Sequence, residues 1–267
     1  KSQPVKLRDG RLILPLRPGL QECDIAWYQD TGLSTITRSP VINLGAEAVN
    51  ADVSIKMPKS RWILWVTGPR FGPAVLFWSY LLVVIIAAVA LGRYSSTPLN
   101  TLQWILLGIG LTQISPLMAI TVVGWFILMG VREKNPFDEK ALLFNCAQLL
   151  IFLVTVVALW CLYVAVRNGL LGIPDMQISG NGSSNFLLHW TQDRIQANMP
   201  ELLVVSLPMY VFRVLMLFWA LWLAYSLLKW LKWGWECFGT GGFWKTVKIR
   251  RKKNPPPPPV PTLEKVD

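Results

Sequence analysis

Twenty consecutive residues, Pro73 to Gly92, carry no charged side chain. Made helical at 1.5 Å per residue, such a run spans about 30 Å, the thickness of a bilayer's hydrocarbon core. A second run, Ala141 to Val166, has 26 residues with only Asn145 and Gln148 as strongly polar interruptions. A third extends from about Pro208 to Leu228 and stops against Lys229. These runs constrain the chain most, because backbone inside lipid must satisfy its own hydrogen bonds and therefore folds as helices or a closed barrel. The composition agrees: 53% of the residues are hydrophobic, 15% are charged and the mean hydropathy is +0.41, outside the range of ordinary soluble domains. Fourteen tryptophans point the same way, since indole pairs an apolar body with an N–H suited to the wet edge of a bilayer.

The stretch from Pro98 to Val131 also lacks charge, but Thr112-Gln-Ile-Ser-Pro116 divides it into two pieces, each short for a full crossing. Two arrangements fit: a re-entrant or tightly packed pair of short helices, or an interfacial helix followed by one crossing. Arg93 ends the first run, Arg132 and Lys134 follow the divided stretch, and a basic block follows the last run. If all three are cytoplasmic, the divided stretch enters and leaves on one side, and the amino end and residues 167–207 both lie outside. With one crossing there instead, both chain ends are inside.

The net charge of +11 is unevenly placed. Residues 1–72 carry +4, and residues 229–253 carry +7 from eight Lys/Arg against Glu236. A basic block can serve nucleic acid, but directly after an apolar run the positive-inside rule accounts for it, and no nucleic-acid partner is expected. One histidine and four cysteines exclude a His₃ or His₂Cys₂ metal site within the chain, and no cofactor is expected.

The chain opens at Lys1 without a secretory signal pattern and reads as a processed product or a piece of something longer. Residues 11–66 read as β structure. Turn signals at Asp9-Gly10 and Pro18-Gly19 flank short apolar runs, and Cys23, Ile25 and Trp27 alternate with Asp24 and Ala26. The clearest strand is 51–57, where Val53, Ile55 and Met57 alternate with Asp52, Ser54 and Lys56; Trp62 to Val66 forms a further run. The expected fold is an α-helical polytopic membrane domain, residues 71–238, preceded by a small all-β extracytoplasmic segment, residues 1–70, read as the last part of a larger β domain. Residues 239–267 form a basic, proline-rich cytoplasmic tail.

Few residues suggest chemistry. Arg213 is the one formal charge inside a predicted span. Five residues from Pro208, it can snorkel to the headgroups, pair with Asn145, Gln148 or Glu201, or line a path. Asn145 and Gln148, three apart, share a helix face and suit hydrogen bonding between helices. In the outside loop, Gly180, Asn181, Gly182 and Ser183 can form a tight turn offering several N–H groups, ahead of a predicted short helix from Phe186 to Arg194. On such a helix His189 and Asp193 would face one another. Ser183 or Ser184 could then act as a nucleophile beside His189, although a structural loop is the expected reading. Asn181-Gly-Ser183 also fits a glycosylation sequon.

At the carboxyl end, Lys229, Trp230, Lys232, Trp233 and Trp235, with Arg250 and Arg251, combine rings and cations as a headgroup layer requires. The expected partner there is a bilayer with anionic headgroups on its cytoplasmic face. Pro255 to Pro259 is a stiff extended spacer or a docking ligand for a protein partner.

Thr67-Gly-Pro-Arg-Phe-Gly-Pro-Ala-Val-Leu-Phe-Trp78, Thr97-Pro-Leu-Asn-Thr-Leu-Gln-Trp104, Leu106-Leu-Gly-Ile-Gly-Leu-Thr-Gln113 and Gly172-Ile-Pro-Asp-Met-Gln-Ile-Ser-Gly-Asn-Gly-Ser-Ser184 are similar to the C-terminal membrane region of large, uncharacterised bacterial inner-membrane proteins. The resemblance covers about residues 10–250. It implies an extracytoplasmic β-rich part ahead of the helices, and no activity or catalytic residues to carry over. The expected role is a non-enzymatic inner-membrane module that anchors a β domain and couples it to envelope partners. A transporter with Arg213 and the 98–131 stretch lining a path is the alternative, and a hydrolase using His189 a third.

Overall fold

The computed structural model describes residues 7–8, 11–13, 18–30, 32–94, 97–134, 141–240 and 242–245. The chain divides into two units, Lys1–Ser34 and Thr35–Asp267. In the first, β1 (Leu7–Arg8) pairs antiparallel with β2 (Arg11–Leu12). The alternation around Cys23, Ile25 and Trp27 forms no strand: residues 18–30 are exposed throughout, so neither face has an apolar surface to pack on.

The second unit begins with β3 (Ile36–Arg38), β4 (Ala48–Lys56), β5 (Arg61–Thr67) and β6 (Ala74–Val75). Four helices follow: α1 (Phe77–Gly92), α2 (Thr101–Leu111), α3 (Pro116–Lys134) and α4 (Ala141–Leu171). Then come β7 (Ile178–Ser179), β8 (Leu187–Ile195), β9 (Leu203–Pro208) and α5 (Met209–Gly239).

The strand expected at 51–57 is present as β4, with Met57 buried, Val53 and Ile55 half-buried, and Asp52, Ser54 and Lys56 exposed. Its partner comes from far along the chain. β4 pairs antiparallel with β8 along nearly its whole length, Ser54 opposite His189, while β9 lies between β3 and β5. Their inward faces enclose a core of Met57, Ile63, Met176, Leu188, Trp190 and Val204. The β structure is therefore not the property of residues 1–70; half of it is supplied by the loop assigned to the membrane domain. The predicted helix at 186–194 is strand β8, because Leu188 and Trp190, 0% and 1% exposed, point inward with a period of two. Gly68 and Gly72 lie flat against Trp190; a Cβ at Gly72 would overlap the indole.

The helices depart from expectation in an informative way. Of the twenty uncharged residues at 73–92, Ala74 and Val75 are taken up by β6, which pairs with β7. This leaves α1 with 16 residues, about 24 Å. Three helices are long and apolar enough to cross a membrane: α3, α4 and α5, with 19, 31 and 31 residues. The divided stretch is thus not a pair of equals. α2 folds back on α1, with Gly92 against Thr101 and Gly108 against Val84, whereas α3 runs the depth of the bundle.

Direction follows from two contacts. The Asn168 amide, in the last turn of α4, donates to the Gln113 carbonyl at 3.3 Å, so the α2–α3 turn lies at the end of the bundle from which β7 emerges. The guanidinium of Arg132 meets the carbonyl of Thr240, so α3 ends where α5 ends. The α1–α2 hairpin therefore leaves the β end and returns to it, α3 runs away, α4 comes back and α5 runs away again.

The bundle core is rich in aromatics meeting edge to face: Trp104 on Phe126 at 5.5 Å, and Phe126 on Trp230 at 5.1 Å. Each buried indole needs a partner for its N–H. Trp219 donates to the Leu106 carbonyl at 2.7 Å and Trp125 to the Thr155 hydroxyl at 2.9 Å. A Cβ at Gly110 would overlap the Trp219 ring, so glycine is what lets α2 approach α5 there. Trp62 of β5 joins the two layers, packing on Phe212 of α5 at 5.2 Å while its N–H points to the Met176 sulfur.

Candidate functional site

The expected grouping of Arg213 with Asn145 and Gln148 does not form. Arg213 is exposed in the second turn of α5, at the β end, whereas Asn145 lies near the start of α4 at the opposite end, about 39 Å of helix from the point where α4 reaches the β end. The cation that meets Gln148 is Arg132, which the sequence reading takes for a flanking loop charge, while Asn145 holds the backbone of Lys245. The signal was the length of the 135–140 connection. With six residues between α3 and α4, Arg132, two residues before the end of α3, comes within reach of the first turns of α4, where it meets Phe144 and Gln148.

Arg132 is fully buried, at 0% exposure. Its Nη2 donates to Gln148 Oε1 at 2.6 Å and to the Thr240 carbonyl at 3.2 Å, and the guanidinium lies 5.2 Å from the centre of the Phe144 ring. Gln148 then donates through Nε2 to the Phe238 carbonyl at 2.9 Å. Asn145 grips the backbone of Lys245 twice: its Nδ2 donates to the Lys245 carbonyl at 2.9 Å, and the Lys245 N–H donates to its Oδ1 at 3.0 Å. The Lys245 ammonium sits over the Phe144 ring, 4.6 Å from its centre. On the next turn, the Trp233 N–H donates to Glu133 at 3.0 Å.

These bonds share a logic. The last carbonyls of an α-helix have no partner within it, and its C-terminus carries a partial negative charge. Arg132 and Gln148 supply donors and a cation to the end of α5, and Asn145 extends the hold to Lys245, the root of the basic tail. The hydrogen bonds of Arg132, Gln148 and Asn145 to Phe238, Thr240 and Lys245 position main chain.

The other predicted residues fall as follows. Gly180, Asn181 and Gly182 take consecutive positive φ angles of 105°, 51° and 71°, and the Ser183 N–H closes the turn on the Gly180 carbonyl at 2.9 Å. Its side chains are committed to β8. Asn181 donates to the His189 carbonyl, and Ser183 Oγ accepts the His189 N–H at 2.9 Å. The Ser183 hydroxyl thus engages His189 through its main chain and not its ring. On a strand His189 and Asp193 are about 13 Å apart, and it is Asp52 of β4 whose carboxylate comes within 3.9 Å of His189 Nε2. Among the described residues no cluster of His, Cys, Asp or Glu could hold a metal ion.

Of the residues expected at headgroups, Trp230 is instead a core residue at 3% exposure, because its ring fills the gap between Phe126 and Trp222. Trp235, Lys229 and Lys232 are exposed, and Lys229 lies over the Tyr225 ring. Trp233 is half-buried; Arg250, Arg251 and the proline run lie outside the described residues. No protein-family model, known protein or solved structure matches this chain.

Proposed function

We propose that this chain is a multi-pass integral membrane protein of the bacterial inner membrane. Its helices hold the β sandwich on the outer face and the root of a polybasic tail on the cytoplasmic face, coupling the two to envelope partners. One observation carries the reading: strands on both sides of α1–α4 pair in the same β structure, β4 with β8 and β5 with β9. Paired strands lie on one side of a bilayer, so the chain between them must cross an even number of times. α3 and α4 supply two crossings, α5 adds a third, and the α1–α2 hairpin enters and returns.

Charge supports the orientation. Arg132, Lys134, Lys229, Lys232 and Lys245 gather at the end away from the β strands, and Arg93, at the tip of the hairpin, points to the same side. A cationic end of this kind is the cytoplasmic one in the positive-inside pattern. The coupling runs through Trp62, wedged between the sandwich and α5. We assign the chain no reaction. A path through Arg213 draws no support from the geometry, since Arg213 stands exposed at the β end and the 98–131 stretch divides between a helix on α1 and a core helix.

Single cysteines introduced at Ser54, Gln192 and Lys252, in a chain with its four native cysteines replaced, test this in spheroplasts with a membrane-impermeant maleimide. Ser54→Cys and Gln192→Cys are expected to label together from outside, and Lys252→Cys only after permeabilisation. Labelling of the first two from opposite sides, or of all three from outside, overturns the proposal.

A further inference from the structure

At the end of the bundle away from the β strands, α3, α4 and α5 leave a cleft of about 150 Å³ between them. Met129, Phe152, Thr155, Leu231, Gly234 and Trp235 line it. Its one hydroxyl is already satisfied: Thr155 accepts the Trp125 N–H and donates to the Ile151 carbonyl. The lining is otherwise almost wholly apolar. It opens outward rather than into the core, since Phe152 and Trp235 are 59% and 67% exposed and Leu231 is 37% exposed. Gly234 forms part of its floor, and a Cβ there would lie 3.6 Å from the Trp125 ring, an ordinary contact distance, so a longer side chain is needed to fill the cleft.

The rim differs in character from the floor. Lys232 is exposed on the α5 turn between Leu231 and Trp235. Trp235, Phe238 and Phe243 form an aromatic group with ring centres 5.6 to 6.3 Å apart, and Lys245 follows two residues after Phe243. Lys229, Lys232 and Lys245 outnumber Glu133 and Glu236 there. An apolar slot running about 10 Å along α5 from Leu231 to Phe238, facing away from the bundle and ending at rings and cations, has the polarity profile of one leaflet of a bilayer.

We propose that this cleft is a binding site for one anionic phospholipid of the cytoplasmic leaflet, with an acyl chain lying over Gly234 toward Leu231 and the phosphate on the Phe238 side, met there by the extended Lys232 side chain. The site rests on the membrane orientation proposed above and deepens it. The lipid splints α3, α4 and α5 immediately beside the Arg132 clamp, so the leaflet's composition is read where the tail is rooted.

The test uses the full chain in detergent micelles, incubated with phosphatidylglycerol or with phosphatidylcholine of the same acyl chains and read by native mass spectrometry. The wild-type chain is expected to retain one phosphatidylglycerol, about fivefold more readily than phosphatidylcholine, the effect of one lysine at an anionic surface. Gly234→Leu fills the slot and should abolish retention of both. Leu231→Trp fills it from a more exposed position, and carries the test if Gly234→Leu does not fold. Lys232→Gln should keep the lipid and lose the preference. Unchanged retention by folded Leu231→Trp, an unchanged preference in Lys232→Gln, or a second copy of the chain occupying the cleft as a dimer would each overturn the site. Carbonate extraction of the same variants separates the two proposals: a chain that stays in the membrane but retains no lipid refutes only the site, and a chain that is extracted refutes the orientation with it.

Discussion

Replacing Gln148 by leucine isolates what the Arg132 clamp contributes. Leucine is compatible with the surroundings of α4 and removes two bonds, the 2.6 Å acceptor for Arg132 and the 2.9 Å donor to the Phe238 carbonyl. A hydrogen bond to a charged group contributes about 1.5–3 kcal/mol and a neutral one about 1 kcal/mol in water-soluble proteins. Across helices in a bilayer the average falls to about 0.6 kcal/mol, because the unfolded chain in the membrane also finds partners. Arg132 is wholly buried, so its charge has little access to such substitutes. We therefore expect a loss of about 2 kcal/mol, roughly thirtyfold in the folded-to-unfolded ratio. The assay is reversible unfolding in mixed micelles followed by tryptophan fluorescence. A double-mutant cycle with Arg132→Met supplies the control: once the cation is gone, Gln148→Leu should cost about 1 kcal/mol or less, since no buried charge is left behind. A single-mutant loss at or below about 0.6 kcal/mol, or additive losses in the cycle, would refute the reasoning.

Gly110→Leu should drive a side chain into the Trp219 ring, cost about 1–3 kcal/mol by overpacking and lower the melting temperature in detergent. Trp190→Ala, which empties the centre of the β core, should cost about 3–5 kcal/mol and expose 35–76 and 172–208 to protease together, since the two segments share one core. Asn145→Ala should speed trypsin cleavage after Lys245 while shifting bundle stability by only about 1 kcal/mol, because it releases the backbone of the tail's root and not the end of α5. His189→Ala is expected to change stability by less than about 0.5 kcal/mol in denaturant titration, its partner Asp52 being 3.9 Å away and 65% exposed.

Some of this was legible in the residues. The alternation at Val53, Ile55 and Met57 is a strand in the structure, with the expected face inward. The run at 141–166 lies within α4 and that at 208–228, apart from Pro208 at the end of β9, within α5; the helices extend to 171 and 239. The pattern at 187–195 misled, because a histidine and an aspartate four residues apart suggest a helix face, while the decisive alternation of Leu188 and Trp190 has only two members. The tryptophans misled in part for a similar reason. Indole suits both a headgroup layer and an aromatic core, so Trp230 and Trp235, five residues apart, look alike in sequence and end 3% and 67% exposed.

The sequence by itself determined which segments are long and apolar enough to cross a membrane and where the positive charge accumulates. Transfer free energy and residue periodicity are properties of contiguous stretches, and a contiguous stretch is what a sequence displays. Only the tertiary structure decided which segments meet. The partner of β3 is β9, with Ile36 opposite Val205, and Asn145 and Gln148 find their partners at residue 245 and at the end of α5 respectively. Both the sandwich and the clamp join segments that are far apart in the chain. Pairing at such distances is set by which exposed edges and unsatisfied carbonyls the remaining fold leaves to be covered, and neither is written in any local run of residues.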